Sequence, residues 1–291
     1  MNRSLFAVVV VALFASNALA QEADSGPHGF SLSERFQGSV NTLGSVNQLD
    51  SNLAYTFNSN FTLDAGIPLY FVHPSSSAVA STGSSSTNGI GNAYLQARFS
   101  LTNPIVNYGS TITGTAPTGD KTAGLSTGHA TADWTNYFDR SFSNLTPFFD
   151  IGLANAVSDT AFFVRPYTSY GLLAHLEGGI RYRFVRTFSV GGSAYSIAPW
   201  GQQTVISRIV KAQVQAAAST TKNHGVFQNA HVTTGGASIA ADHGVSTWVQ
   251  FDPIRSFNLY AGFTRSTEYS LNTVFFGVGL SLGRGSHPLG I

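Results

Sequence analysis

FDRSFSNLTPFFDIGLA, residues 138–154, turns a strand back on itself and sorts its side chains by face. Phe138 and Phe142 precede the short polar segment Ser143-Asn144-Leu145, and Phe148 and Phe149 follow it. Beyond the turn Phe149, Ile151 and Leu153 share one face, while Asp150, Gly152 and Ala154 share the other. Successive residues of a strand point to opposite sides. One face therefore suits hydrocarbon, and the other accepts a carboxylate.

The same rhythm runs along the chain. Period-two alternation between turn signals gives about twelve strands, near 30–40, 49–57, 61–72, 91–102, 105–116, 129–142, 147–157, 169–184, 188–199, 240–251, 257–267 and 271–282. Every second connection is short: Asn58-Ser59-Asn60, Asn103-Pro104, Ser143-Asn144-Leu145, Val185-Arg186-Thr187 and Asp252-Pro253-Ile254-Arg255. Most of the others are long, namely 73–90, 117–128, 158–168 and 200–239, with 41–48 and 268–270 as shorter exceptions. Such an alternation of loop lengths points to an all-β, transmembrane, antiparallel up-and-down barrel with tight periplasmic turns and longer extracellular loops.

Aromatic residues bracket most of the short turns: Phe57 and Phe61, Phe142 and Phe148, Phe184 and Phe188, Phe251 and Phe257. At a barrel rim they would meet the bilayer interface as an aromatic girdle. Composition agrees. Charged residues make up 10% of the chain, against roughly 25% in an average soluble protein, although the hydrophobic content is an ordinary 43%. Lipid facing the outer wall removes the need for a charged surface.

MNRSLFAVVVVALFASNALA, residues 1–20, has the positive start, short apolar stretch and small-x-small ending of a secretory signal peptide. The exported barrel would occupy 21–291, in the outer membrane of a Gram-negative-type bacterium. Without Arg3 the 15 Lys+Arg become 14, equal to the 14 Asp+Glu, so the exported chain is neutral. No basic run is present to neutralise phosphates, which excludes nucleic acid as the expected partner. There is no cysteine and hence no disulfide framework.

A charge at mid-depth on the lipid side costs about 2–4 kcal/mol for Arg or Lys. Asp64, Arg98, Asp133, Asp139, Asp150, Glu177, Arg181 and Arg183 are therefore expected in the lumen. They either line a solute path or pair across a narrow barrel. Arg140 falls on the apolar face, close enough to a strand end to snorkel. Seven of the eight histidines fall in loops, strand ends or tails, and His175 alone is mid-strand. No metal-ligand spacing or P-loop occurs, and the G-x-S-x-G match GLSTG (124–128) falls in a predicted loop rather than between a strand and a helix, so no metal, cofactor or catalytic residue is expected. Within the longest loop, Val205–Ser219 places apolar residues at helical spacing. It is expected as a short helix that narrows the mouth or rests on the rim.

Gly89-Ile90-Gly91-Asn92, then GTAPTGD (114–120), GLSTG (124–128) and TPFFDIGLA (146–154) resemble the outer-membrane transporters grouped as the "MetA-pathway of phenol degradation" family. The resemblance implies a β-barrel that takes up aromatic or other small organic compounds, with Pro117, Thr118, Gly119 and Asp120 in an extracellular loop. Asn92 stands where that family often carries an acidic residue. The expected function is a monomeric channel for passive uptake of small solutes. The alternatives are a filled structural or adhesive barrel whose loops bind partners, and a secreted soluble β-sandwich.

Overall fold

The computed structural model describes residues 28–82, 85–160, 163–210 and 226–283; the expected signal peptide lies outside them. Twelve strands close into an antiparallel barrel. In chain order the wall begins with β1 (Gly29–Asn41), β2 (Gly44–Thr56) and β3 (Phe61–Pro74). Short β4 (Thr87–Ile90) precedes β5 (Tyr94–Leu101), β6 (Asn107–Thr115), β7 (Thr131–Asp139) and β8 (Leu145–Ala154). After β9 (Tyr167–Tyr170) come the wall strands β10 (Leu173–Val185) and β11 (Phe188–Pro199). After β12 (Gln203–Ser207) and β13 (Val232–Gly235) the wall ends with β14 (Asp242–Ile254), β15 (Phe257–Ser266) and β16 (Leu271–Gly283).

Pairing of β1 with β16, from Ser31 opposite Gly283 to Asn41 opposite Thr273, closes the ring. Closure satisfies the backbone polar groups of the wall without a free edge, as hydrocarbon requires. Both ends of the wall, at Gly29 and Gly283, lie with the five short turns on one rim. The expected 41–48 loop contracts to a two-residue connection, so β2 starts at Gly44 rather than near 49. The expected strand at 169–184 divides into β9 and β10, with Gly171 at φ +147 between them.

The facing follows the alternation. Phe149, Ile151 and Leu153 are exposed outward, as are Leu95, Ile112, Ile180, Val245, Phe263 and Val274. Inside, Asp64 is 2% exposed and Gln37 3%. A wall that is apolar outside and polar inside is built for lipid. Tyr55 and Phe57 stack edge-on at 4.8 Å, and Phe57 contacts Phe61 at 5.4 Å, forming part of the rim girdle. Arg140 lies just past the end of β7, where its guanidinium donates to the Ile105 carbonyl at 2.6 Å and covers the Phe142 ring. Phe148 corrects the girdle expectation. It shares the Asp150 face and points into the lumen, near Tyr137 and Trp248.

The long-loop end carries its own cores. Strands β9, β12 and β13 form a separate three-stranded sheet. Tyr167 and Phe227 stack at 4.6 Å beneath it, with Tyr269, Leu173, Ile197 and Leu271 in the same cluster. A second cluster joins Val46, Tyr70 and Val72 of the wall to Leu125, Val164 and Ile209 of the loops. The loops thus fold over and into the barrel, because their apolar residues find wall residues to bury against. Val205–Ser207, expected at the start of a helix, instead completes β12, where the β-branched pair Val205-Ile206 hydrogen-bonds to β9 on one side and β13 on the other. The remainder of that expectation, from 211 to 219, lies outside the described residues.

Candidate solute-binding lumen

Among the described residues, two cavities lie side by side in the lumen. The first, about 390 Å³, lies against β1–β7 and is lined by hydroxyls, amides and charges, among them Arg35, Asp50, Asp64, Tyr94, Arg98 and Thr113. The second, about 300 Å³, lies against β7, β8, β10, β11 and β14 and carries Tyr137, Phe148, Phe163 and Tyr195 beside Asp150 and Glu177. The segment from Ala156 to Asp159 lines both, together with Asp133 and Thr135. A partition made of the loop after β8 therefore divides the lumen.

That loop crosses the barrel and is clasped at several points. Val164 donates its N–H to Ser39 Oγ on β1 at 2.9 Å. Arg165 reaches Asp242 on β14, with Nη1 3.2 Å from Oδ2. Its guanidinium lies over the Phe163 and Tyr195 rings. Arg208, just past β12, donates to Asp159 Oδ1 at 2.8 Å and to the Arg165 carbonyl at 2.7 Å. All four charged side chains are nearly dry. Low dielectric strengthens such pairs, and the same burial makes an unpaired member costly.

A hydrogen-bonded ladder joins the clasp to the wall. Tyr260 donates to Gln37 at 3.0 Å, Gln37 to Gln48 at 2.5 Å, and Gln48 to the Tyr70 hydroxyl at 3.0 Å. Tyr70 donates in turn to Asp159 Oδ2 at 2.8 Å. Four strands, β15, β1, β2 and β3, thus hold one loop carboxylate in place. The amides sit on the inward face because that face must satisfy polar groups away from bulk water.

The eight sequence-derived candidates all fall on inward positions, in different surroundings. Arg98 grips Asp64 through Nε and Nη2, both at 2.8 Å, while Asn52 donates to the other carboxylate oxygen. Asp133 meets His175 at 3.3 Å. Asp150 and Glu177 are register partners on β8 and β10, and Glu177 accepts from Ser193 at 2.5 Å. Asp139 ends β7 at the short-turn rim, where Asn107 donates to it at 3.3 Å. Arg181 follows on the inward face of β10, and Arg183 borders a depression at that rim with Arg186, Asp252 and Arg255. Asp64, Arg98 and Asp133 line the polar cavity, and Asp133, Asp150 and Glu177 line the aromatic one.

Arg35, Asp50, Tyr94, Asp159, Arg165, Arg208 and Asp242 were not among those candidates. A usable signal lies in Val164-Arg165 and Ile206-Ser207-Arg208-Ile209, arginines set among apolar residues inside long loops. A wholly solvated loop has no use for that composition. Among the described residues no group of three or more His, Asp or Glu could hold a metal ion.

The Gly89–Asn92 and Pro117–Asp120 segments interlock where the wall is interrupted between β4 and β5. Thr118 Oγ1 donates to the Gly91 carbonyl at 3.0 Å and accepts from the Ala93 N–H at 2.8 Å. The Gly119 N–H donates to Asn92 Oδ1 at 3.3 Å, a role a carboxylate oxygen could fill equally. Asp120 accepts from the Thr122 hydroxyl and N–H, both at 2.7 Å. The Thr122 hydroxyl contributes most to holding that carboxyl below its ordinary range. Gly124, at φ +73, sits so close to the Ser207 carbonyl that a Cβ would collide with it. These loop motifs dock one lid segment onto another.

No protein-family model matches the chain, and no curated protein matches it in sequence. Solved structures do. An outer membrane channel from Pseudomonas putida F1 superposes with a TM-score of 0.57 at 12% identity, over 90% of this chain and 100% of that one. The NanC porin gives 0.49 at 6% identity, over 86% of this chain and 98% of that one. The KdgM porin gives 0.47 at 11%, over 86% and 99%. At such identities the likeness to the Pseudomonas channel establishes architecture: this chain has the fold of an outer-membrane β-barrel.

Proposed function

We propose that the protein is an outer-membrane channel through which small solutes diffuse passively, with the clasped loop partition as its constriction. The observation that carries this reading is the divided lumen. A closed barrel needs a filled interior only for stability, yet this one keeps two adjoining cavities lined by polar, charged and aromatic side chains. Asp64, Arg98, Asp133, Asp139, Asp150, Glu177, Arg181 and Arg183 line the solute path in this proposal, their charges setting which solutes enter. Uptake of aromatic or other hydrophobic compounds, as in the phenol-degradation family the loop motifs resemble, is the finer form of the proposal. The aromatic cavity supports it.

A filled barrel acting through its loops is the second reading, favoured by the apolar lid cores. Single-channel recording of the refolded barrel in a planar bilayer separates the two. Stepwise current is expected. Silence with proven insertion would leave the filled barrel. A variant lacking 205–219 should conduct more if the lid gates the passage.

A further inference from the structure

The aromatic cavity has a charge balance that the channel reading leaves unexplained. Apart from Tyr137 and Tyr195, its titratable lining consists of Asp133, Asp150, Asp159 and Glu177 against Arg165 and His175. Both basic groups are engaged: Arg165 with Asp242, and His175 with Asp133. Asp159 is taken by Arg208. Asp150 and Glu177 remain, directly opposite one another on adjacent strands, and neither forms an ion pair among the described residues. Directly opposed like charges destabilise a sheet. Nothing about closing the barrel demands two carboxylates there.

The wall beside them is ring-bearing. Phe148 and Tyr137 stack with centroids 6.2 Å apart and planes 24° from parallel, Phe148 also meets the tilted Trp248 ring at 6.1 Å, and Phe163 closes the cavity from the partition. Carboxylates set against aromatic faces recognise a cation twice over, through charge and through the ring quadrupole. A cavity of about 300 Å³ has room for a single ring with a short side chain, at the small end of ligand pockets. We propose that this cavity is a binding site for small organic cations, an ammonium group seated at Asp150 and Glu177 with its apolar body against Phe148, Tyr137 and Phe163. The site deepens the channel proposal by naming the solute class, and it can be tested apart from conduction.

Three probes of matched ring but different charge decide it: benzylammonium, benzyl alcohol and benzoate. Calorimetric titration of the full barrel in detergent micelles should show benzylammonium binding at least tenfold tighter than either other probe. The Asp150→Asn, Glu177→Gln double variant should abolish that preference, and each single substitution should weaken it severalfold. Phe148→Ala, which keeps both carboxylates, should weaken benzylammonium severalfold and leave methylammonium unchanged. Heat-modifiable gel mobility reports whether each variant folds, and the single variants decide if the double one does not. Equal affinity for benzylammonium and benzyl alcohol, or variants that retain the parent affinity, overturns the assignment. Bilayer recording is read separately: current without cation preference defeats the site alone, and binding without current defeats the channel alone.

Discussion

Replacing Arg165 by Met tests whether the partition is held by its buried charge pair. The side chain joins Asp242 at 3.2 Å, donates to the Ser158 carbonyl at 3.3 Å and covers two rings. Methionine fills part of the volume but leaves the Asp242 carboxylate, 2% exposed, without a cation. Breaking a buried pair in this way costs about 3–5 kcal/mol. Asp242 keeps two neutral donors, Tyr195 at 3.0 Å and Ser266 at 2.6 Å, which places the cost near the lower end. A loss of about 3 kcal/mol corresponds to roughly 150-fold in the closed-to-open equilibrium of the loop.

The loss should be local, because Arg165 belongs to no wall strand. Hydrogen exchange of the Val164 amide, which donates to Ser39 on the opposite wall, is the direct assay. Its protection should fall by about two orders of magnitude, while wall amides in β1 and β16 change little and the barrel's unfolding midpoint in urea stays nearly constant. In bilayers the same variant should pass more current. If Val164 stays as protected as in the parent, the arginine does not hold the partition. If wall and loop amides lose protection together, the partition is not a separately opening unit.

Four further outcomes bear on the same structure. Ile151→Lys puts a charge on the lipid face and should destabilise the barrel in vesicles by about 2–4 kcal/mol, whereas Thr113→Lys, facing the polar cavity, should cost far less; reversed sensitivities would invert the facing. Gly124→Ala meets both a positive φ and the Ser207 carbonyl, so limited proteolysis within 116–130 should accelerate, by the equivalent of roughly 1–3 kcal/mol. Asp120 has its folded-state pKa below the ordinary 3.8, first through the Thr122 hydroxyl. Its contribution to stability is complete above the unfolded value and disappears as pH falls through the folded one; the Thr122 amide shift should titrate below 3.8, and Asp120→Asn should remove that transition. Asp64→Asn leaves Arg98 without its counter-charge at the polar cavity and should move the reversal potential toward anion preference, an unchanged potential placing the pair off the ion path.

The wall was legible because lipid and lumen impose opposite demands at a period of two. The hairpin around Ser143 announces this in seventeen residues, and inward Asp150 against outward Phe149 follows from alternation alone. Phe148 escaped because an aromatic beside a turn fits either the girdle or the lumen, and only parity with Asp150 decides between them. The partition was not legible. No periodicity marks a loop that folds inward, and the contacts holding it join Asp159 to Arg208, 49 residues apart, and Arg165 to Asp242, 77 apart. Helical spacing misled at Val205–Ser207 for a related reason. The short β-branched run there is equally suited to a strand, and the neighbouring β9 and β13 supplied the partners that settled it.

The partition makes the two cavities one system. Asp159 takes part in the Arg208 pair, accepts from Tyr70 at the end of the lumen ladder, and lines both cavities. Any displacement that enlarges the passage at Ala156–Asp159 must therefore stretch the Tyr70 bond or the Arg208 pair. Conversely, Tyr260, Gln37 and Gln48 on β15, β1 and β2 act on the partition through the Tyr70 hydroxyl of β3. Gln48→Leu removes the donor to Tyr70 and keeps the side-chain volume. It should loosen Asp159 by about 1–2 kcal/mol, the cost of an unmet buried hydrogen bond, and raise Val164 exchange roughly 5- to 30-fold. The effect should be smaller than that of Arg165→Met and in the same direction. Opposite signs would mean that the ladder strains the partition rather than supporting it.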